Sequence, residues 1–542
     1  MNTMALNQPP YLINYNVYQS DRFLQQCAQY FAESNEQDER VKLGSLLGSA
    51  QHIERCYAAN HYPPELFTHD RYGERINHIA YHASYHELMQ IAAEQQLHNG
   101  VWRSVSPYSH VERTIRYYLN SQLEAGHGCP ITMTFAAIPV IQQSPLYPQL
   151  QEQLLQPLYD GRDIPFYEKS ALTVGMGMTE KQGGSDVRSN TTHATPQGAT
   201  GEGEVYLLNG HKWFLSAPMS DLFLMLAQTK HGLGCFSVPR WREDGTRNGI
   251  HIQQLKQKMG NQSNASCEVE LNDVEGRLLG SEGKGVRTII DMVAMTRFDC
   301  MIGSSALLRQ SLVQALHHCH YRSAFGARLI EQPLMINLLC DMAMESECAL
   351  LWTLTVAQWL DSSDIEAKRL ARLLVPVGKY WICKRAPQVT YEAMEVIGGM
   401  GVMENTPMPR LYREAPINAI WEGSGNIQCL DVLRACEKDP ELLSTWFSFI
   451  ARSCGQYSRY DAVVERLQQE LEKYPPSPFN ARRLVDEIAL LTQAALAIQH
   501  MQPERSRLIC ENLLNRSGRN LGTLVGDFDT AHQWVKDSFT IG

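Results

Sequence analysis

From the first residues to about Gly175, apolar positions recur three and four apart, as in Tyr85 to Leu97 and Arg113 to Ala125. That spacing lines one face of an amphipathic helix. After Met176 the pattern shortens to that of strands. Glu204 to Ser216 reads Val-Tyr-Leu-Leu, then Asn209-Gly210, then His-Lys-Trp-Phe-Leu-Ser. An Asn-Gly pair between two β-rich runs predicts a hairpin, because both residues accept positive φ. Leu222 to Thr229, Cys235 to Val238, Ile252 to Leu255 and Glu268 to Leu271 predict further short strands, together a small barrel or sandwich. After Gly285 the helical period returns. Val286 to Tyr321, Leu334 to Leu360 and Ile365 to Ile397 predict three long helices, and short connections between them favour an antiparallel bundle. Glycines 398, 399, 401, 423 and 425 punctuate a loop region before a helix that starts near Asn426, and the end of the chain is helical again, broken at Tyr474 to Pro478. The pattern thus predicts an α+β chain of four regions: N-terminal helices over 1–175, a β domain over 176–285, a helical bundle over 286–437 and a helical extension over 438–542.

Composition narrows this picture. A chain of 542 residues is too long for one core, and 44% apolar with 20% charged residues is the balance of an ordinary globular protein. A net charge of −10 repels polyanions, so a nucleic-acid partner would need a local basic patch. Residues 441–542 carry 11 Lys and Arg against 12 Asp and Glu; Arg482, Arg483, Arg505, Arg507, Arg516 and Arg519 are the cations there that could gather on one face. Fourteen scattered cysteines without a Cys-x-x-Cys pair suit reduced thiols. The first sixteen residues lack the basic and apolar regions of a secretory signal, and no run of about 18 apolar residues predicts a membrane span. Together these predict a cytoplasmic protein. His317 and His320 share a helix face without a third ligand at helical spacing, so no metal site is expected.

Three segments carry candidate chemistry. Gly175 to Asp186 (Gly-Met-Gly-Met-Thr-Glu-Lys-Gln-Gly-Gly-Ser-Asp) combines hydroxyls with small residues that let backbone N–H groups approach a flat or phosphorylated ligand; a plain glycine-rich turn reads the same way. Lys212 to Ser216 places two aromatics on a strand, where they serve a core or a ligand face. Ile420 to Ile427 (Ile-Trp-Glu-Gly-Ser-Gly-Asn-Ile) sets a carboxylate between an aromatic and two glycines, as a general base or as a helix cap.

In this order, with Lys258-Met-Gly260, Gly280 to Gly285, Thr296-Arg297, Arg322-Ser-Ala-Phe-Gly326, Gln332 and Arg410-Leu-Tyr-Arg413, the chain from about Leu172 to Leu433 closely resembles the acyl-CoA dehydrogenase family. The wording of Met178 to Asp186, His211 to Phe214, Ser263 to Val269 and Ile420 to Asn426 resembles its alkylation-response branch, as does the helical extension. The resemblance implies FAD as cofactor. Met178, Thr179 and Ser185 would bind the isoalloxazine and pyrophosphate, and Phe214, Leu215 and Ser216 would lie against the flavin. Arg322, Phe325 and Gln332 would reach the cofactor of a neighbouring subunit. Gly398, Gly399, Trp421, Gly423, Ser424 and Asn426 complete the set. Glu422 aligns with the base that removes the α-proton of an acyl thioester. Thr296, where some relatives carry that base, cannot do so. Lys181, Gln182 and Glu395 depart from the pattern.

The resemblance further implies a homotetramer and leaves two functional readings. One is a flavoprotein of the alkylation response that binds double-stranded DNA and acts weakly on acyl-CoA. The other is a fully active acyl-CoA dehydrogenase without a DNA role.

Overall fold

The computed structural model of the chain describes residues 7–103, 109–473, 476–515 and 528–539. They fall into two compact units: Met1–Ile53, His110–Leu123 and Arg297–Gly542 in one, Glu54–Ser109 and Glu124–Thr296 in the other.

The second unit holds the β structure. A two-stranded hairpin comes first, β1 (Glu65–His69) with β2 (Arg75–Ala80). The helical reading of the N-terminal region missed it. Its turn is fixed locally: the Asp70 carboxylate accepts from the N–H groups of Tyr72 and Glu74, and Gly73 takes φ +88°. The main sheet comprises β3 (Val174–Thr179), β4 (His193–Pro196), β5 (Val205–Ser216), β6 (Leu222–Thr229), β7 (Gly232–Pro239), β8 (Ile250–Leu255) and β9 (Ser266–Leu279). Pairing runs from β5 to β9, β7, β6, β3 and back to β5, so the sheet closes into a barrel with β8 and β4 added to it. Closure leaves an inside face for Tyr206, Leu208, Leu215, Phe236 and Val269, all fully buried.

Asn209-Gly210 does not turn the chain. β5 runs unbroken through it, and the register against β9 shifts between Leu208 and Gly210. The positive φ that suits a hairpin serves a β-bulge equally well: Gly210 has φ +147°, and a Cβ there would meet Thr192 at 2.6 to 2.9 Å. Asn209 accepts from the Asp273 N–H across the bulge.

Three long helices carry the bundle: Ile290–Tyr321, which belongs to the first unit from Arg297 onward, Pro333–Asp361 and Ile365–Ile397. A two-strand hairpin, β10 (Ser323–Ala324) and β11 (Ala327–Arg328), links the first two. The last two form an antiparallel pair around buried residues such as Trp352, Leu354, Val377 and Ile382. Helix Gly425–Lys438 packs on Ile365–Ile397. The C-terminal helices follow, and one of them, Ala481–His500, packs on both. Among the described residues no helix is long and apolar enough to cross a membrane, and all fourteen cysteines are free thiols.

Candidate functional site

Helix Ile365–Ile397 supplies the floor of the first unit's site. Lys379 lies midway along it and is 1% exposed. Its ammonium donates to the carbonyls of Trp421, at 2.8 Å, and Gly423, at 2.6 Å. The fully buried Gln428 donates to the Glu422 and Gly423 carbonyls at 3.0 and 2.8 Å, and Arg297 Nε adds a bond to Glu422 O at 3.1 Å. Arg297 is itself held by Asp431, which also pairs with Arg372; burial works against that carboxylate, yet the two guanidiniums keep it below its ordinary pKa.

Three consecutive carbonyls are therefore drawn inward by buried donors. No cis peptide occurs among the described residues, and a trans peptide points its N–H opposite its C=O. The N–H groups of Glu422, Gly423 and Ser424 consequently face away from the floor, at the positive end of helix Gly425–Lys438. Glu422 holds φ +57° and Gly423 φ +93°. A left-handed conformation costs a side-chain-bearing residue about 1–2 kcal/mol, and here the donors beneath impose it. The Glu422 carboxylate is half-buried at the apex, Trp421 donates from Nε1 to Asn418 at 2.8 Å, and the Ser424 hydroxyl does not cap the helix behind it.

A second group lies at the end of the bundle. Arg322 donates to Asn7 O, Gln332 to Ala324 O, and Phe325 stands 99% exposed on the tip of β10–β11. Phe325 and Gly326 both have positive φ, +53° and +84°, as a two-residue hairpin requires. Antiparallel pairing brings Gln332, before one helix, to the same end as Gly398 and Gly399, after the next. A Cβ on either glycine would meet nothing within 4 Å, so that backbone is open to a ligand. From Lys379 to Gly398 is 19 residues of helix, about 28 Å at 1.5 Å each. The end group and the Glu422 turn are thus well separated within one chain.

In the second unit, Met178 and Thr179 end β3, with Thr179 in register with Phe214 and Met176 with Ser216 on β5. Phe214 is 41% exposed and lies 4.6 Å from the Lys256 ammonium. Leu215 points the other way and is buried in the barrel, so only its backbone could touch a ligand. Glu180, next along, makes a fully buried ion pair with Lys212 at 2.7 Å and accepts from Thr191 N at 2.7 Å. Burial opposes ionisation, but Lys212 and these donors hold the Glu180 carboxyl down at about 2. The pair ties the exposed Lys181–Ser189 loop, which carries Ser185, to the barrel. Lys181 and Gln182 have local partners: Lys181 N bonds His211, and Gln182 bonds Glu180 and Ser189.

Each unit by itself carries groups of the kind FAD needs: in the first, the N–H edge at a helix N-terminus and, apart from it, two open glycines; in the second, hydroxyls at Thr179, Ser185 and Ser216 and the exposed aromatic of Phe214. Lys379, Gln428 and the Glu180–Lys212 pair were missed as site residues. A lysine in the apolar run Val377 to Trp381 was the available signal. Elsewhere, His317 Nε2 is bonded to Pro10 O at 2.8 Å. Thr296 is buried and donates to Val293 O, while Glu395 is exposed. Of the candidate basic residues, Arg505 is paired with Glu347 and Asp537, and Arg483 with Glu470. Arg482 bonds Asn426 and Arg507 is exposed; Arg516 and Arg519 lie outside the described residues.

Residues 7–161 match the family model of the adaptive response protein AidB N-terminal domain, 175–274 the acyl-CoA dehydrogenase middle domain and 283–436 its C-terminal domain. The AidB protein of Escherichia coli (strain K12) is 43% identical over 95% of this chain and 95% of its own. Caenorhabditis elegans ACDH-11 in complex with C11-CoA superposes with a TM-score of 0.83 at 24% identity, covering 99% of this chain and 93% of that one. The Bacillus anthracis acyl-CoA dehydrogenase complexed with FAD gives 0.65 at 16% identity, with 84% and 91% covered. The chain belongs to the AidB branch of the acyl-CoA dehydrogenase family, whose cofactor is FAD.

Proposed function

We propose that this chain is an acyl-CoA dehydrogenase-type flavoprotein in which Glu422 is the catalytic base. The observation that carries the reading is the Glu422 turn, with its carbonyls held inward and its N–H edge turned out. The α-proton of a thioester is very weakly acidic until charge on the carbonyl oxygen is stabilised. An outward N–H of the turn donates to that oxygen, and one such preorganised donor contributes about 3 kcal/mol. The Glu422 carboxylate, on the apex of the same turn, accepts the α-proton. Bound FAD supplies the hydride acceptor for the β-carbon. Met178, Thr179, Ser185, Phe214, Leu215 (by its backbone), Ser216, Trp421, Gly423, Ser424 and Asn426 are assigned to hold it.

Arg322, Phe325, Gln332, Gly398 and Gly399 are assigned to the cofactor of another copy, in a homotetramer. Their separation from Glu422 along the bundle supports this. Acyl-CoA is the substrate class; the C11-CoA complex of the worm relative supports it. The test is an anaerobic titration with acyl-CoAs of graded chain length, followed by flavin absorbance. Wild type should bleach with one chain type, and Glu422→Gln should stay yellow while keeping its FAD. Bleaching in that variant would remove Glu422 as the base.

The second reading is a DNA-associated role in the alkylation response in the cytoplasm, with weak dehydrogenase activity. What favours it is the match of residues 7–161 to the AidB N-terminal model. A duplex-DNA affinity that falls steeply with salt is expected on this reading. Absence of binding at low salt would leave the dehydrogenase alone.

A further inference from the structure

Within the helical extension, helix Ala481–His500 starts against the helix that follows the Glu422 turn. Arg482 and Asp486 lie four residues apart on one face of helix Ala481–His500. Arg482 Nε donates to Asn426 Oδ1 at 2.8 Å. Asp486 lies beside Tyr380, one residue beyond the Lys379 that holds the turn. One helix face thus grips both helix Gly425–Lys438 and helix Ile365–Ile397. The groups facing Arg482 are Asn426 and Asp486, with Lys384 nearby under Gly425. The residues matching the acyl-CoA dehydrogenase C-terminal domain stop at 436, so this grip is an addition to the shared fold.

We infer that Arg482 is a positioning residue for the cofactor, acting through Asn426. The inference rests on the assignment of Asn426 to FAD. A guanidinium can only donate, so it fixes which end of the carboxamide it binds. With Oδ1 taken by Arg482, Asn426 must present its Nδ2 donors outward. An unheld asparagine samples both orientations, and half of them offer an acceptor where the dinucleotide's oxygens and ring nitrogens need a donor. The extension therefore pre-sets the polarity of a contact that the bundle alone leaves free to flip.

The test measures FAD affinity of the full-length apoprotein by flavin fluorescence, together with thermal unfolding of the apo form. Asn426→Ala should weaken FAD several-fold. Arg482→Ala, which leaves the carboxamide free to flip, should weaken it by about twofold while the apo unfolding temperature holds, and Arg482→Lys, which still donates to Oδ1, should recover most of the loss. Adding Arg482→Ala to Asn426→Ala should change nothing further. Unchanged affinity in Arg482→Ala, with Asn426→Ala impaired, would overturn the inference and leave the site intact. So would a full further loss in the double variant, which would mean Arg482 acts on the ligand by itself. Unchanged affinity in Asn426→Ala would instead remove the assignment of Asn426, and the inference with it.

Discussion

Glu422-Gly423 and Phe325-Gly326 use the same backbone device. Each pairs a side-chain-bearing residue near φ +55° with a glycine at positive φ. Their supports differ. Beneath Glu422 lie Lys379, Gln428 and Arg297, donors on three separate elements that seize the carbonyls. Beneath Phe325 lie the two-residue connection of β10 and β11, a bond from Gln332 to Ala324, and the Asn7 side chain, which pairs with the backbone of Ser323. The first turn is over-determined from the interior and aims a carboxylate. The second is set by its own hairpin with Asn7 at its base and carries an apolar ring outward. A strained conformation held from within by several elements can place chemistry.

Breaking the first turn should have the larger effect. Lys379→Met leaves the Trp421 carbonyl without the donor that holds it and halves the support of Gly423. An unsatisfied buried group costs about 1–3 kcal/mol. We expect about 3 kcal/mol lost in urea unfolding and no bleaching by any acyl-CoA; an active variant of normal stability would show that the floor is not needed. Next come the two glycines. Gly423→Ala adds a Cβ 2.9 Å from both Gln428 and Ile427 on top of the backbone strain, so about 2 kcal/mol is expected. Gly326→Ala meets nothing within 4 Å and should cost only about 1 kcal/mol. Equal losses would erase the distinction between the turns. The smallest effect has the opposite sign. Phe325→Asn suits the left-handed region and should stabilise the chain by about 0.5 kcal/mol, while weakening association of copies in sedimentation. A variant that assembles as wild type does would release Phe325 from any interface.

The same contrast explains what the sequence revealed. The three bundle helices were legible because long apolar stripes at helical spacing have one stable solution. The Glu422 and Phe325 turns were found through words shared with a family. The floor under Glu422 was not legible. Lys379 and Gln428 lie 42 and 6 residues from the carbonyls of Trp421 and Glu422 that they hold, and nothing local marks them as partners. Asn209-Gly210 shows the converse failure. Gly210 takes the positive φ that was expected but Asn209 does not, and one such residue suits a bulge where a two-residue hairpin turn needs two. The β1–β2 hairpin went unseen although Asp70 and Gly73 offered the turn chemistry, because strands of five and six residues give little alternation to count.

The buried Glu180–Lys212 pair has a consequence for how the loop after β3 breathes. Thr191 and Thr192 donate their amides to Glu180, and Lys212 also donates to Leu226 O on β6. To release those amides, the loop would have to strip the buried Glu180 carboxylate of donors and leave Lys212 to balance it alone. Surface loops ordinarily open on their own at little cost. Here the cheapest opening is that of the barrel, so solvent should reach these two amides on the clock of the whole unit.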